Sequence, residues 1–448
     1  MTPVGLAFLL LTACERAGDG DTAPHTTDDL RDPQTCATCH PKHFQEWSGS
    51  MHAYAGIDPI FLAMDARGQR ETDGALGDFC VDCHAPLASA EGLVSQASDI
   101  ADLPAMYQGI TCYFCHQVTD VQGDSNNPTV LAMDSTFRGS YGDALETDAH
   151  ESAYSPYQDR SSPSSSKLCG SCHDIVTPNG TYLERTYGEW LASPYAEDDS
   201  MVNCSMCHMD VDFGQAAEVD GAPTRSVHSH RWPGVDTAIV PFPDTEAQAA
   251  AVQAELDQTL TASLCVNHSA STDDTTVVEV TLANTGAGHN WPSGASADRR
   301  AWVELVASEG DEVVWSTGVV EDDEALTSLD DPDLWSFFDT LTDDDGHEVH
   351  MFWEATEVAS NLIPPTGPLS SGDVAVEKTY TVPSGSVSGI EMRVRIRSMG
   401  LDILDDLVAS GDLDPAYRNA LPTYDLEPTV LVWSEDVASS EDGRSCVE

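Results

Sequence analysis

From about residue 275 to the end of the chain, apolar and polar positions alternate. Val278, Val280 and Leu282 are separated by polar residues, and Met392, Val394 and Ile396 alternate with Arg393, Arg395 and Arg397. A period of two is the mark of a half-buried strand. Further strands are expected at 301–307, 312–319, 348–354, 375–382 and 428–433, separated by Gly, Pro and Asp turns. About seven such strands suggest a β-sandwich. Leu401, Leu404 and Leu407 mark a short helix before the last strand. Just upstream, Val252, Leu256, Leu260 and Leu264 recur every four residues behind Asp244, a plausible N-cap. That spacing predicts a helix over 244–264 linking two parts of the protein.

Residues 35 to about 235 follow neither period for long. Asn126-Asn127-Pro128, Pro163-Ser164-Ser165-Ser166 and Thr177-Pro178-Asn179-Gly180 read as turns or loops. A chain this irregular needs a source of core other than regular packing.

At the start, Val4 to Ala13 is a short apolar stretch ending at Cys14. Leu11-Thr12-Ala13-Cys14 resembles a bacterial lipobox, and an apolar segment of this length fits export, although Met1-Thr2-Pro3 carries no basic residue. The alternative is a plain cleaved signal with an incidental cysteine. The expected organisation is a lipoprotein signal peptide at 1–14, a polar tether at 15–34, a cysteine-rich domain at 35–240, a linking helix at 241–265 and the β-sandwich at 266–448. The fold class is thus multidomain, a mostly α and irregular part followed by a β part. Export would place the protein in the periplasm or at the cell surface, with a lipid anchor at Cys14 as its membrane contact.

Charge narrows the partners. The chain has 19 basic and 76 acidic residues, a net −57. Nucleic acid and anionic membrane surfaces would be repelled. Solubility in a salty habitat accounts for such a balance, and electrostatic steering toward a basic partner is the functional alternative.

The chemistry lies in one pattern repeated five times: Cys36-Ala-Thr-Cys39-His40, Cys80-Val-Asp-Cys83-His84, Cys112-Tyr-Phe-Cys115-His116, Cys169-Gly-Ser-Cys172-His173 and Cys204-Ser-Met-Cys207-His208. This is the c-type haem attachment sequence. The two thiols add to the two vinyl groups of the porphyrin, and the next histidine binds iron beneath the ring. A chain of this composition should contain one match about 0.01 times by chance. Zinc also uses Cys-x-x-Cys pairs, but five knuckles leave one unpaired, and zinc gives no reason for a histidine after every second cysteine. A disulfide redox motif fails on the same histidine. Five covalently bound haems c are therefore expected. Cys265 and Cys446 flank the β-rich part, and in an oxidising compartment they are expected to pair, with free thiols as the alternative.

An iron with two axial histidines is closed and suited to electron transfer, whereas one with a single histidine is open and reactive. The candidates for second ligands are His52, His150, His228, His230 and His289. His228 and His230 point the same way in an extended chain. His289 lies in the Gly-rich loop Gly286-Ala-Gly-His289-Asn-Trp-Pro-Ser-Gly294. His25 reads as solvated tether, His43 as incidental to the first motif, and His350 as a packed strand residue and first substitute. Met51, Met201, Met206 and Met209 are possible methionine ligands.

Cys36-x-x-Cys39-His40 followed by Phe44, Trp47, Ser50 and His52 resembles the opening of the tetrahaem cytochrome and hydroxylamine oxidoreductase superfamily. Gly288-His289-Asn-Trp-Pro292-Ser-Gly294 is similar to a loop in the β-rich C-terminal domain accompanying many such proteins. The resemblance implies a helical and loop fold with haems stacked in close pairs, and a distal role for His52. The chain departs from it in having five motifs rather than four or eight. It also lacks the lysine-ligated motif of ammonia-forming nitrite reductases, and no tyrosine can be assigned to the covalent crosslink used in hydroxylamine oxidation.

Three functions are compatible with this reading. The first is an electron carrier exchanging electrons with other redox proteins or cytochromes. The second is a reductase or oxidase of a small nitrogen or sulfur compound at one open haem, for which Arg160, Arg231 and Tyr157 are the nearby polar candidates. The third is a structural or filament-forming surface cytochrome built on the β domain.

Overall fold

The computed structural model describes residues 25–197, 201–367 and 374–448. Cys14 and residues 15–24 of the expected tether lie outside the described residues; the rest of that stretch holds a short helix, Thr27–Arg31, with Leu30 buried. No helix among the described residues is long and apolar enough to cross a membrane.

Up to about residue 240 the chain forms short helices, turns and two-stranded ribbons. The longest helix of this part, Pro59–Glu71, opens on Asp58, whose carboxylate accepts from Ile60 N, with Pro59 in the first turn. Apolar packing here is divided. One cluster gathers Leu30, Phe61, Val81, Leu87 and Tyr113, and a smaller one holds Tyr187, Trp190 and Tyr195. Residues of both clusters line one cavity of about 3000 Å³, several times the roughly 300–1,000 Å³ of a small-molecule site.

The C-terminal part is strand-rich. Val376–Val382, Thr276–Asn284, Leu260–Asn267 and Arg444–Val447 form, in that spatial order, an antiparallel four-stranded sheet. A six-stranded sheet runs Glu312–Thr317, Arg300–Glu309, Gly389–Arg397, Thr423–Asp425, with Trp335–Phe337 and Leu431–Ser434 paired to its two central strands. Leu264, Val278, Val280 and Leu282 of the first sheet share one apolar core with Val303, Leu305, Val394 and Ile396 of the second. Cys265 and Cys446 face each other on neighbouring strands and form a disulfide.

Three local expectations are corrected. The helix over 244–264 ends early: it spans Thr245–Leu256, and Leu260 and Leu264 belong to the strand Leu260–Asn267. A spacing of four is also a multiple of two, so both leucines fit either period, and the buried-exposed alternation of 260–267 decides for a strand. Asp244 stands at the N-cap position with φ 54° but makes no cap hydrogen bond; its carboxylate pairs with Arg231 at 2.7 Å. At 348–354 only Glu348–Val349 is a strand. His350 instead donates from Nδ1 to the Asp406 carboxylate at 2.7 Å, and Trp353 Nε1 donates to Glu71 at 3.1 Å.

The two parts are knit together. Ile60 and Ala63 pack on Leu401, Leu404 and Leu407 of the helix Leu401–Ser410. Tyr195 Oη donates to Thr285 O at 2.8 Å, and Asn179 Nδ2 to Ala355 O at 2.8 Å. The loop after Thr276–Asn284 turns toward the cavity. A Cβ at Gly286 would run into the Gln258 carbonyl, and Gly288 has φ 72°, so glycine is needed for the loop's course.

Candidate functional site

Each attachment sequence is wound into a single helical turn. The His40 amide donates to Cys36 O at 2.8 Å, His84 to Cys80 O at 3.2 Å, His173 to Cys169 O at 3.1 Å and His208 to Cys204 O at 3.0 Å. The third lies within the helix Cys112–Gln117, capped by the Thr111 hydroxyl. Positions i, i+3 and i+4 of a turn share a face, so both thiols and the imidazole of each motif point one way. That way is the cavity: all ten motif cysteines, the five motif histidines, and His52, His150, His228, His230 and His289 line it.

The imidazoles are prepared for metal at Nε2. His40 donates from Nδ1 to Ala216 O at 2.7 Å, His84 to Ala55 O at 3.0 Å, His116 to Arg138 O at 2.6 Å and His208 to Pro233 O at 2.7 Å. His150 donates to Glu151 O at 2.9 Å, His230 to His228 O at 3.0 Å and His289 to Asn290 O at 2.7 Å. A carbonyl accepts only from a protonated nitrogen, so Nδ1 carries a proton, and in the neutral ring Nε2 then keeps its lone pair. Burial holds His52 down at about 3, and His173 and His289 at about 4, with neighbouring imidazoles adding to the effect. These rings stay neutral, as ligands must. His52 Nδ1 is buried with no partner among the described residues.

Three motif histidines stand near a candidate second imidazole, and His40 also has His43 at 6.2 Å. Ring centres are 6.3 Å apart for His40 and His150, 6.3 Å for His52 and His173, and 6.4 Å for His208 and His289. Two imidazoles on opposite sides of one metal, each about 2.0–2.1 Å from it, place their centres roughly 6.3 Å apart. His230 and His43 lie together, 4.7 Å apart and nearly perpendicular, and both are electrostatic neighbours of His116. His43, read from sequence as incidental, therefore sits with His230. His228 lines the cavity without ring contact to another imidazole among the described residues, and its carbonyl holds His230. His84 differs again. The Phe61 ring lies parallel to it at 3.9 Å, and no second imidazole makes ring contact with it among the described residues.

The motifs also have an order in space. The thiols of Cys36 and Cys112 meet, as do those of Cys83 with Cys172 and Cys169 with Cys204. The first motif is thus beside the third, the second beside the fourth, and the fourth beside the fifth. Cys115 lies near both Cys169 and Cys172, which joins the third to the fourth.

Sequence reasoning missed a group of carboxylates on the cavity wall: Glu184, Asp236 and Asp298 around Arg299, with Asp58 beside Asp236. Burial pushes Glu184 up to about 7, opposed by Arg299, and Asp298 and Asp58 to about 6. Glu184 and Asp298 make no side-chain hydrogen bond among the described residues. Nothing local in the sequence brings 58, 184, 236 and 298 together. The three polar residues nominated from sequence are engaged elsewhere: Tyr157 Oη donates to Asp120 at 2.9 Å, Arg160 to Met206 O at 3.3 Å, and Arg231 pairs with Asp244.

Residues 35–117 match the family model described as cytochrome c554 and c-prime. No curated protein matches the chain. Among solved structures, a penta-heme cytochrome c552 from Thermochromatium tepidum is similar at a TM-score of 0.61 and 21% identity, covering 89% of this chain and 97% of that one. The likeness to the penta-heme cytochrome extends over the fold, and five turns of Cys-x-x-Cys-His on one cavity wall fit covalent attachment of haem.

Proposed function

We propose that the protein is an exported pentahaem cytochrome that passes electrons between redox partners in the periplasm or at the cell surface, anchored by lipid at Cys14. Bound haem supplies a one-electron iron couple. The chain's residues fix where each couple sits and how it is closed. Cys36, Cys39, Cys80, Cys83, Cys112, Cys115, Cys169, Cys172, Cys204 and Cys207 tether the five rings. His40 with His150, His173 with His52 and His208 with His289 close three irons, and His116 is completed by His230 or its neighbour His43. The adjacency of the motifs supports one connected path, first to third to fourth to fifth, with the second branching at the fourth. The strand-rich part is read as a β-sandwich whose His289 loop completes the fifth site, a reading supported by the core shared between its two sheets.

The observation that carries this reading is the set of three imidazole pairs held 6.3–6.4 Å apart in one cavity. Intact mass of the purified holoprotein tests the count, with five haem increments expected. Electron paramagnetic resonance tests the closure, with at least three low-spin ferric signals expected. A chain that purifies without bound tetrapyrrole would sink the proposal.

One observation favours a second reading, a reductase or oxidase of a small nitrogen or sulfur compound at an open iron. His84 is covered by Phe61 and meets no second imidazole among the described residues. Under this reading a high-spin ferric signal responds to added cyanide. Five low-spin signals indifferent to cyanide would remove the open-iron reading.

A further inference from the structure

Beside the first imidazole pair the cavity wall is formed by two exposed, acidic segments. Residues 144–150 and 215–223 line the cavity, and most of both stretches is exposed. These segments also hold the pair itself. His150 ends the first, and Ala216 in the second accepts the Nδ1 proton of His40 at 2.7 Å. The Glu218 amide donates to Cys39 O at 2.7 Å. The rim is one continuous structure. Tyr141 Oη donates to Ser226 O at 2.7 Å, and Arg225 pairs with Asp143 at 2.7 Å, so the loop is fastened to the hairpin of Val211–Gln215 and Thr224–His228.

The rim's charge is uneven in a useful way. Its cations, Arg225 and Lys42, are consumed by Asp143 and Asp212. Glu146, Asp148 and Glu218 make no ion pair among the described residues and are exposed. Beside them stand exposed apolar side chains, Leu145 at 42% and Phe213 at 73%. A small apolar centre with a one-sided charge around it suits a transient complex, since electron-transfer encounters use interfaces below about 1,200 Å² and take their speed from complementary charge.

We propose that this rim is the docking face for a basic electron-transfer protein, one that surrounds its own redox centre with lysines. The proposal rests on the carrier reading and names where that carrier meets its partner. The exchange is a single electron: one centre is oxidised as the other is reduced, and no atom is transferred. Cys36 of the first motif meets Cys112 of the third, and the first motif is taken as an end of the path, where an electron should enter or leave. The fifth, at the opposite end, is closed by His289 from the strand-rich part.

The competing explanation is that every acidic surface of so acidic a chain would attract a basic partner equally. Two charge-matched variants of the holoprotein separate the ideas. One carries Glu146→Lys, Asp148→Lys and Glu218→Lys; the other carries Asp344→Lys, Asp345→Lys and Glu348→Lys on an exposed turn of the strand-rich part. Stopped-flow reduction by a small lysine-rich c-type cytochrome at low ionic strength is the readout, with reduced lumiflavin, a small uncharged donor, as reference. The rim variant should slow the protein reaction by about tenfold or more and flatten its salt dependence, while the control slows it by less than about threefold. Equal slowing by both, or slowing by neither, overturns the docking face. A wild-type holoprotein that lumiflavin cannot reduce overturns the carrier reading itself. Glu146→Gln, Asp148→Asn and Glu218→Gln provide a milder rim variant, expected to lie between wild type and the lysine form.

Discussion

The two parts of this molecule solve the same problem in opposite ways. The strand-rich part has its own core: Leu264, Val280, Val303, Leu305, Val394 and Ile396 come from two sheets and fill one interior, and a disulfide ties its first strand to its last. The part before it is lined by imidazoles, thiols and carboxylates around about 3000 Å³ of space. Its helices are mostly four to eight residues long, too short to be stable alone. In one region side chains provide the apolar interior. In the other a covalently attached cofactor would fill that role, and folding is then expected to depend on loading.

The largest expected effect breaks the comparison at that point. Without haem attachment, residues 35–240 should fail to form a protease-resistant unit, while a fragment from about 241 onward should survive and unfold cooperatively. Limited proteolysis with mass spectrometry on unloaded chain measures both. Equal resistance of the two halves would show that the first has a sufficient core of its own.

Within the strand-rich part, Trp302→Ala should cost about 3–5 kcal/mol. The ring is fully buried, its Nε1 donates to Gly318 O at 2.9 Å, and it lies near the Arg395 and Arg397 guanidiniums. Replacing Cys265 and Cys446 together should cost roughly 2–5 kcal/mol, because the bond closes 181 residues. Denaturant titration of the isolated part measures each. A loss under about 1 kcal/mol for either would mean that the core tolerates more slack than its packing implies.

The same contrast explains what the sequence made legible. The five motifs are local, so their chemistry and the direction of each cysteine-histidine turn could be read from adjacent residues. The strands at Thr276–Asn284 and Gly389–Arg397 could be read as well, because one face is buried and the other is not. Long-range placement was not legible. His43 and His230 meet across the fold, Phe61 covers His84, and the wall of Asp58, Glu184, Asp236 and Asp298 assembles from segments far apart. The helix end at Leu256 was misread because a four-residue spacing does not distinguish the two periods, and 348–354 because its aromatic run carries no alternation at all.

His289 is where the two regions share a site, and removing it sharpens the comparison. His289→Ala should leave the strand-rich core unchanged and open one iron, the one on His208, 6.4 Å away between ring centres. Electron paramagnetic resonance should show one low-spin signal replaced by a high-spin one, with the melting of the strand-rich part within about 0.5 kcal/mol of wild type, as for a substitution outside the core. Loss of two signals would mean that the loop orders more of the cavity than its own ligand position.

The smallest expected effect concerns pH. Glu184, raised to about 7 by burial, and Asp298 and Asp58, raised to about 6, are neutral at pH 5 and largely anionic at pH 8. Asp236, Asp174 and Arg299 face Glu184, while Arg300, Arg299, Asp402 and His350 face Asp298. An anion on the cavity wall favours the more positive, ferric state, so midpoint potentials should fall as pH rises from about 5 to 8. The limit is about 59 mV per unit for one proton per electron. Stability carries the same sign. Between the ordinary carboxylate range and about pH 7 the folded chain holds protons that the unfolded chain has lost, so these three groups make folding less favourable as pH rises through that window. Potentiometric titration of wild type and Glu184→Gln measures the first effect. The variant should show a shallower slope, and Glu348→Gln on the exposed turn should not. An unchanged slope in Glu184→Gln would assign any pH dependence to the cofactors' own carboxylates, leaving the wall a structural feature of the join between the two regions.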